Sequence, residues 1–285
     1  MPIIVLTAND IINRDTGNNR LVYQFQGGGV TFNNNEIALC SLQMYYSWFN
    51  INEQLYKNSK YQYVWVDGTI HDVVMPNGFY SVSDLNNFLE ATMIQNTHYL
   101  VDTTTGNFVY YLQLETNATY YAVQMNAYLV PNTLPVGFSL PPSATWSLPA
   151  TSQTPRITIL NNGFQDIVGF YAGTYPPTSP YTSTYSKISD IAPQLNPISS
   201  IQVTCSLASN PYSPQSRQIY AFGVPDVIFG QNITIATPEY AFQQIINGSY
   251  NQFTVEIIDQ NGRPIILQDP QICIVLVIRD RGTNQ

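Results

Sequence analysis

Polar and apolar residues alternate with a period of two over much of the chain. Ile201, Val203, Cys205 and Leu207 alternate with Gln202, Thr204 and Ser206. That spacing predicts a strand with one buried and one polar face. Tyr121, Val123, Met125, Ala127 and Leu129 form a second such series, and Phe253, Val255 and Ile257 a third. The third runs into Asp259-Gln260-Asn261-Gly262, where Asn-Gly signals a hairpin returning through Pro264, Ile265, Ile266 and Leu267. Residues 272–278 are apolar at every position, which suits a central strand covered on both faces.

Two segments carry helical spacing instead. Leu85, Phe88, Leu89 and Met93 share one helical face behind Ser83 as the expected N-cap, with Asp84 in the first turn. Thr237 and Pro238 are expected to open a shorter helix with Phe242, Ile245 and Ile246 buried and Gly248 past its end. Residues 1–96 and 197–285 are dense in strand signals, whereas 97–196 is rich in Pro, Thr, Ser and Tyr. The expected fold is all-β. It is a single jelly-roll β-sandwich of about eight strands, with 97–196 as an inserted, mostly-β subdomain and one or two short helices. No repeat of fixed period is present, which argues against propellers and solenoids.

Composition narrows the function. Only 10% of residues are charged, against roughly 25% in an ordinary soluble domain. The surface is therefore built from Asn, Gln, Ser, Thr and Tyr, whose neutral groups cost less to desolvate than ions. Such a surface suits burial against other protein. The net charge is −8 and no basic patch exists, so direct nucleic-acid binding is not expected. Cys40, Cys205 and Cys273 each lie in an apolar run and read as buried free thiols. With no signal-like N-terminus, they point to folding in a reducing compartment. No run of 18 apolar residues suggests a membrane span. The Asn-x-Ser/Thr sequences at Asn117, Asn232 and Asn247 read as chance matches in an Asn- and Thr-rich chain.

The search for chemistry assigns no catalytic, cofactor-binding or metal-ligating residue. His71 and His98 are the only histidines, and neither has a Cys or second His at ligand spacing. Asp67, Asp72, Asp84, Asp102, Asp259 and Asp269 mostly flank Gly, Asn or Pro and read as turn residues. Gly27-Gly28-Gly29 follows a strand without a Lys or a helix behind it, so it reads as a bulge or bend, not a phosphate loop. Tyr45, Tyr46, Trp48, Phe49, Tyr61, Tyr63 and Trp65 could stack sugars, but core packing and intersubunit contact account for them better. No enzyme activity and no cofactor are expected.

Several stretches resemble the single jelly-roll vertex (penton) capsid proteins of virophages and Polinton-like viruses. The run from Asn35 to Asn50 looks like their early long strand, and Pro76 to Leu85 like the turn into their helix. Ile201 to Leu207, Phe253 to Pro264, and Ile274 to Ile278 complete the pattern over about two thirds of the chain. Residues 161–170 fall where some members carry an insertion domain. The resemblance implies a homopentamer at the icosahedral fivefold vertices, an outward-projecting insert, and contacts with a surrounding double jelly-roll major capsid protein. It implies location in the virion after synthesis in the cytoplasm of an infected host cell. It leaves room for a host receptor or glycan on the insert. The alternative is a minor capsid or spike protein with a carbohydrate- or receptor-binding β-sandwich. Residues 1–18 and 280–285 are candidate extended arms.

Overall fold

A computed structural model describes residues 1–14 and 16–281. The contacts within it divide the chain into two units, residues 1–48 with 198–285, and residues 49–197.

The first unit is built on eight long strands. In chain order they are β1 (Ile3–Thr7), β2 (Arg20–Gln24), β3 (Asn35–Tyr45), β4 (Ser200–Cys205), β5 (Gln218–Gly223), β6 (Asn232–Ala236), β7 (Gln252–Asp259) and β8 (Ile272–Asp280). One sheet runs β1-β8-β3-β6 and the other β2-β7-β4-β5, with every pairing antiparallel. The pairs β1 with β8, β2 with β7, β3 with β6 and β4 with β5 are those of one long hairpin rolled into a sandwich. That order defines a jelly roll.

Alternation places the core between the sheets. Ile4 and Leu6 of β1, Ile272, Ile274 and Leu276 of β8, and Leu42, Met44 and Ile233 point inward from the first sheet. Leu21, Ile201, Val203, Phe253, Val255 and Ile257 face them from the second. β8 is central, as its composition predicts, but only one of its faces is fully covered, since Cys273 and Val275 stay half-exposed. The turn after β7 forms around Gly262, whose φ of 75° suits glycine, with Gly262 N–H donating to the Asp259 carbonyl. Its return is not a strand: Pro264 makes a single bridge to Ile258, and Leu267 N–H turns away to the Gly17 carbonyl.

The second unit contains a four-stranded sheet in the order Gly173–Tyr175, Arg156–Ile159, Lys60–Val64, Ile70–Val74. Two three-stranded sheets join it, one centred on Ala122–Ala127 and one on Leu100–Asp102. Helix α1 (Val82–Gln95) packs against strand Leu112–Asn117, burying Val82, Leu85, Leu89 and Met93. The short helix α2 (Phe164–Val168) buries Phe164, Ile167 and Val168. It follows Gly163, where a β-carbon would collide with the Tyr56 carbonyl.

Several expectations change. The division between units falls at 48/49 and 197/198, and residues 49–96 lie in the second unit. The reason is pairing: strand Lys60–Val64 finds its partners in Ile70–Val74 and Arg156–Ile159. The cap of α1 is Ser81, not Ser83. Ser81 Oγ accepts from Asp84 N–H, and the Asp84 carboxylate accepts from Ser81 N–H, closing a capping box. No helix forms after Thr237; its hydroxyl donates to the carbonyls of Leu39 and Cys40, and Gln243–Ile245 adds a short strand beside β3. Residues 1–14 are not a free arm, because β1 is hydrogen-bonded along its length to β8 and Ala8–Asp10 forms a capped 3-10 turn; residue 15 of the expected arm lies outside the described residues. Asp280 ends β8, and residues 282–285 lie outside the described residues. Gly27, Gly28 and Gly29 all adopt positive φ, in a turn between β2 and the short strand Val30–Phe32. Cys205 is buried, but Cys40 and Cys273 are only partly so, and all three are free thiols.

Candidate functional site

The structure brings the two histidines together although 27 positions separate them. Strand pairing sets Tyr63 opposite His71, whose ring stacks on it at 5.0 Å between centroids. His98 arrives from the turn after α1, where Thr97 holds a left-handed φ of 59°. The imidazoles meet edge to face with centroids 4.6 Å apart. Trp65 lies flat on His98 at 4.5 Å, and Trp146 stands edge-on to Trp65 at 5.0 Å. His98 is 3% exposed.

Hydrogen bonds tie both imidazoles to their surroundings. Tyr63 Oη accepts from Asn96 Nδ2 at 3.0 Å and shares a hydrogen bond of 2.9 Å with His98 Nδ1. On the other side, Thr69 Oγ1 donates to Asp67 Oδ1 at 2.6 Å and so accepts from His71 Nε2–H at 2.8 Å. Burial, reinforced by the neighbouring His71, pushes the His98 pKa from 6.5 down to about 4, against a smaller opposing pull from Asp67. The arrangement keeps one imidazole uncharged inside an aromatic packing cluster. It gathers no third ligand: among the described residues, no group of three or more His, Cys, Asp or Glu could hold a metal ion.

The carboxylates singled out in the sequence are scattered. Asp67 caps its own turn through Thr69, Asp102 accepts from Thr104 and Thr105, and Asp269 accepts from Gln271 N–H. Asp84 serves the α1 cap, whose hydrogen bonds from Ser81 hold its carboxyl below the usual range. Asp259 is 2% exposed and accepts from the backbone N–H of Asn261 and Arg263 and from the Arg263 guanidinium. Asp72 accepts from Gln62 across the strand pair.

Of the aromatic set, Tyr46, Trp48, Tyr61, Tyr63 and Trp65 are core, whereas Tyr45 and Phe49 are half-buried. Trp48 and Trp65 are 1% and 2% exposed, Tyr61 and Tyr63 are fully buried, and Tyr46 lies tilted against Trp48 with centroids 4.2 Å apart. Tyr61 lies parallel to Phe164 at 4.5 Å. These rings offer no open platform for a sugar. Large apolar side chains stand exposed elsewhere, among them Tyr121 at 74%, Val136 at 102%, Tyr212 at 97% and Ile228 at 69%. Val136, Tyr212 and Ile228 lie in loops, where alternation gives no signal; Tyr121, expected to open a series with one buried face, instead holds a left-handed φ of 49° in the turn before the strand Ala122–Ala127, which turns its ring outward. No helix of the described residues is long and apolar enough to cross a membrane.

The strand order defines the chain as an all-β protein of the single jelly-roll class, carrying a second unit between β3 and β4. Among solved structures it is similar to the mavirus penton protein, at 12% identity over 98% of both chains with a TM-score of 0.47. It is also similar to a chain in the cryo-EM structure of the Sputnik virophage, at 13% identity over 98% of both chains with a TM-score of 0.40. No family model and no curated protein matches the sequence.

Proposed function

We propose that this chain is a non-enzymatic structural subunit of a viral capsid, assembling as a homopentamer at the icosahedral vertices. Its neighbours there are double jelly-roll major capsid proteins, and its place is the virion. The observation that carries this reading is the surface of a jelly roll on which charge is scarce and large apolar side chains stand exposed in both units. A closed ring needs two different patches of each copy to meet. Tyr-rich, weakly charged surfaces desolvate at low cost and suit such contacts. The vertex position rests on the sequence resemblance in the early long strand and the last strands.

The test is the mass of the full chain in solution, measured by sedimentation over a range of concentrations. The expected species is five times the 32.0 kDa chain. A chain that stays at 32.0 kDa at high concentration, with or without a double jelly-roll capsid protein, would refute the proposal.

A further inference from the structure

Tyr121 stands apart from the buried aromatic cluster of the second unit. It closes the turn between strands Leu112–Asn117 and Ala122–Ala127, which pair at six successive positions and hold the turn in place. Its φ of 49° is a conformation disfavoured for a bulky side chain, and the ring it carries is 74% exposed. Among the described residues that ring touches no other ring, and its hydroxyl has no hydrogen-bond partner. Beside it lies a hollow of about 610 Å³, a volume within the roughly 300–1,000 Å³ of small-ligand sites. Thr116 and Asn117 border the hollow from the first strand of the hairpin, and Gln194 and Asn196 from the segment after Pro193. Thr116 and Gln194 are exposed, and neither side chain has a protein partner among the described residues. Val82 and Leu195 add apolar surface, and none of the residues lining the hollow is charged.

We infer that this hollow binds an uncharged carbohydrate, with a sugar ring laid on Tyr121. The chemistry of the wall selects the ligand. An aromatic face is a flat apolar surface with a negative centre, which suits the C–H side of a pyranose. Hydroxyl and amide side chains both donate and accept hydrogen bonds, as every sugar hydroxyl does. Other ligand classes fit less well. A phosphate or an acidic sugar calls for an Arg or Lys, and the hollow has neither. A cationic ligand calls for a carboxylate, which is also missing from its wall. A purely apolar ligand would cover Thr116 and Gln194 without replacing their bonds to water. The ring is already presented to solvent by the hairpin, so little ordering is left to oppose binding. The inference does not depend on assembly; it adds a recognition site to the subunit proposed above.

The experiment screens the full chain against an array of neutral oligosaccharides built from hexoses, N-acetylhexosamines and fucose. Sialylated and sulfated glycans form a separate arm, and the strongest hit is then measured by isothermal titration. A neutral glycan is expected to bind. Tyr121→Ala is expected to weaken it at least about tenfold with an unchanged thermal melt, the weight of one aromatic contact. Tyr121→Phe keeps the ring and is expected to retain binding, whereas Gln194→Ala is expected to weaken it. Tyr171→Ala, at a position 58% exposed in the same unit but outside the hollow, is expected to change nothing. Binding of acidic glycans alone, no glycan bound, or a Tyr121→Ala chain that binds as tightly as the unaltered one would overturn the inference. An equal loss in the Tyr171→Ala control would overturn it too. Sedimentation of the same samples reads assembly separately, so failure of either reading is recognised without the other.

Discussion

Acidification is expected to destabilise the second unit through His98. The imidazole is held near pKa 4 by burial and by His71, against an ordinary value near 6.5 in the unfolded chain. A base whose folded pKa is depressed binds fewer protons folded than unfolded below pH 6.5. Its stability contribution is thus complete above pH 6.5 and is lost as pH falls toward 4. The loss is about 2 kcal/mol by pH 5 and approaches about 3 kcal/mol near pH 4, from roughly 1.4 kcal/mol for each pKa unit. The structure supplies the cause twice. The ring is 3% exposed against Trp65, and the His71 imidazole beside it disfavours a positive charge there. The assay is urea unfolding of the full chain at fixed concentration from pH 7.5 to 4.5. Fluorescence of Trp65 and Trp146 reports on this unit, and Trp48 on the other. His98→Gln keeps a hydrogen-bonding group beside Tyr63 without a titrating ring and is expected to flatten the pH dependence of the Trp65 and Trp146 transition by most of that amount. A His98 resonance titrating at pH 6 or above, or a variant with undiminished pH dependence, would refute the reasoning.

Two further predictions concern single groups. Ser81→Ala removes the acceptor for Asp84 N–H and one of the donors to its carboxylate, and is expected to cost about 1 kcal/mol in urea unfolding. Tyr61 Oη is fully buried with no protein partner, so Tyr61→Phe is expected to be neutral or stabilising by up to about 1 kcal/mol, read by the same unfolding curve.

The strands that sequence reasoning finds well are those with one dry face. In β4 up to Val203 and in β7 up to Ile257 the buried residues alternate with partly exposed ones, and the pattern survives because a one-residue slip would turn the core outward. The segment after Thr237 misleads for a local reason. It has a good cap residue followed by Pro, but the free edge of β3 offers backbone partners that a helix would forgo. The boundary at residue 48 is invisible because strands on both sides have the same texture, and only their pairing partners differ. The histidine pair is half legible. Counting along the hairpin of Lys60–Val64 and Ile70–Val74 puts His71 opposite Tyr63, but the return of His98 depends on the length of α1 and the left-handed turn at Thr97.

The rolled-hairpin order also sets a timetable for synthesis. β1 and β3 are made within the first 45 residues, yet the strand that lies between them, β8, ends at residue 280. Every pairing within the second unit closes inside residues 49–197, so that unit has all its partners while the sandwich still waits. During that interval the inward side chains of β1, β2 and β3 have neither neighbouring strands nor an opposing sheet. Exposed apolar strands of this kind invite wrong pairing at high concentration. A ribosome making this chain therefore holds an open half-sandwich until β8 emerges.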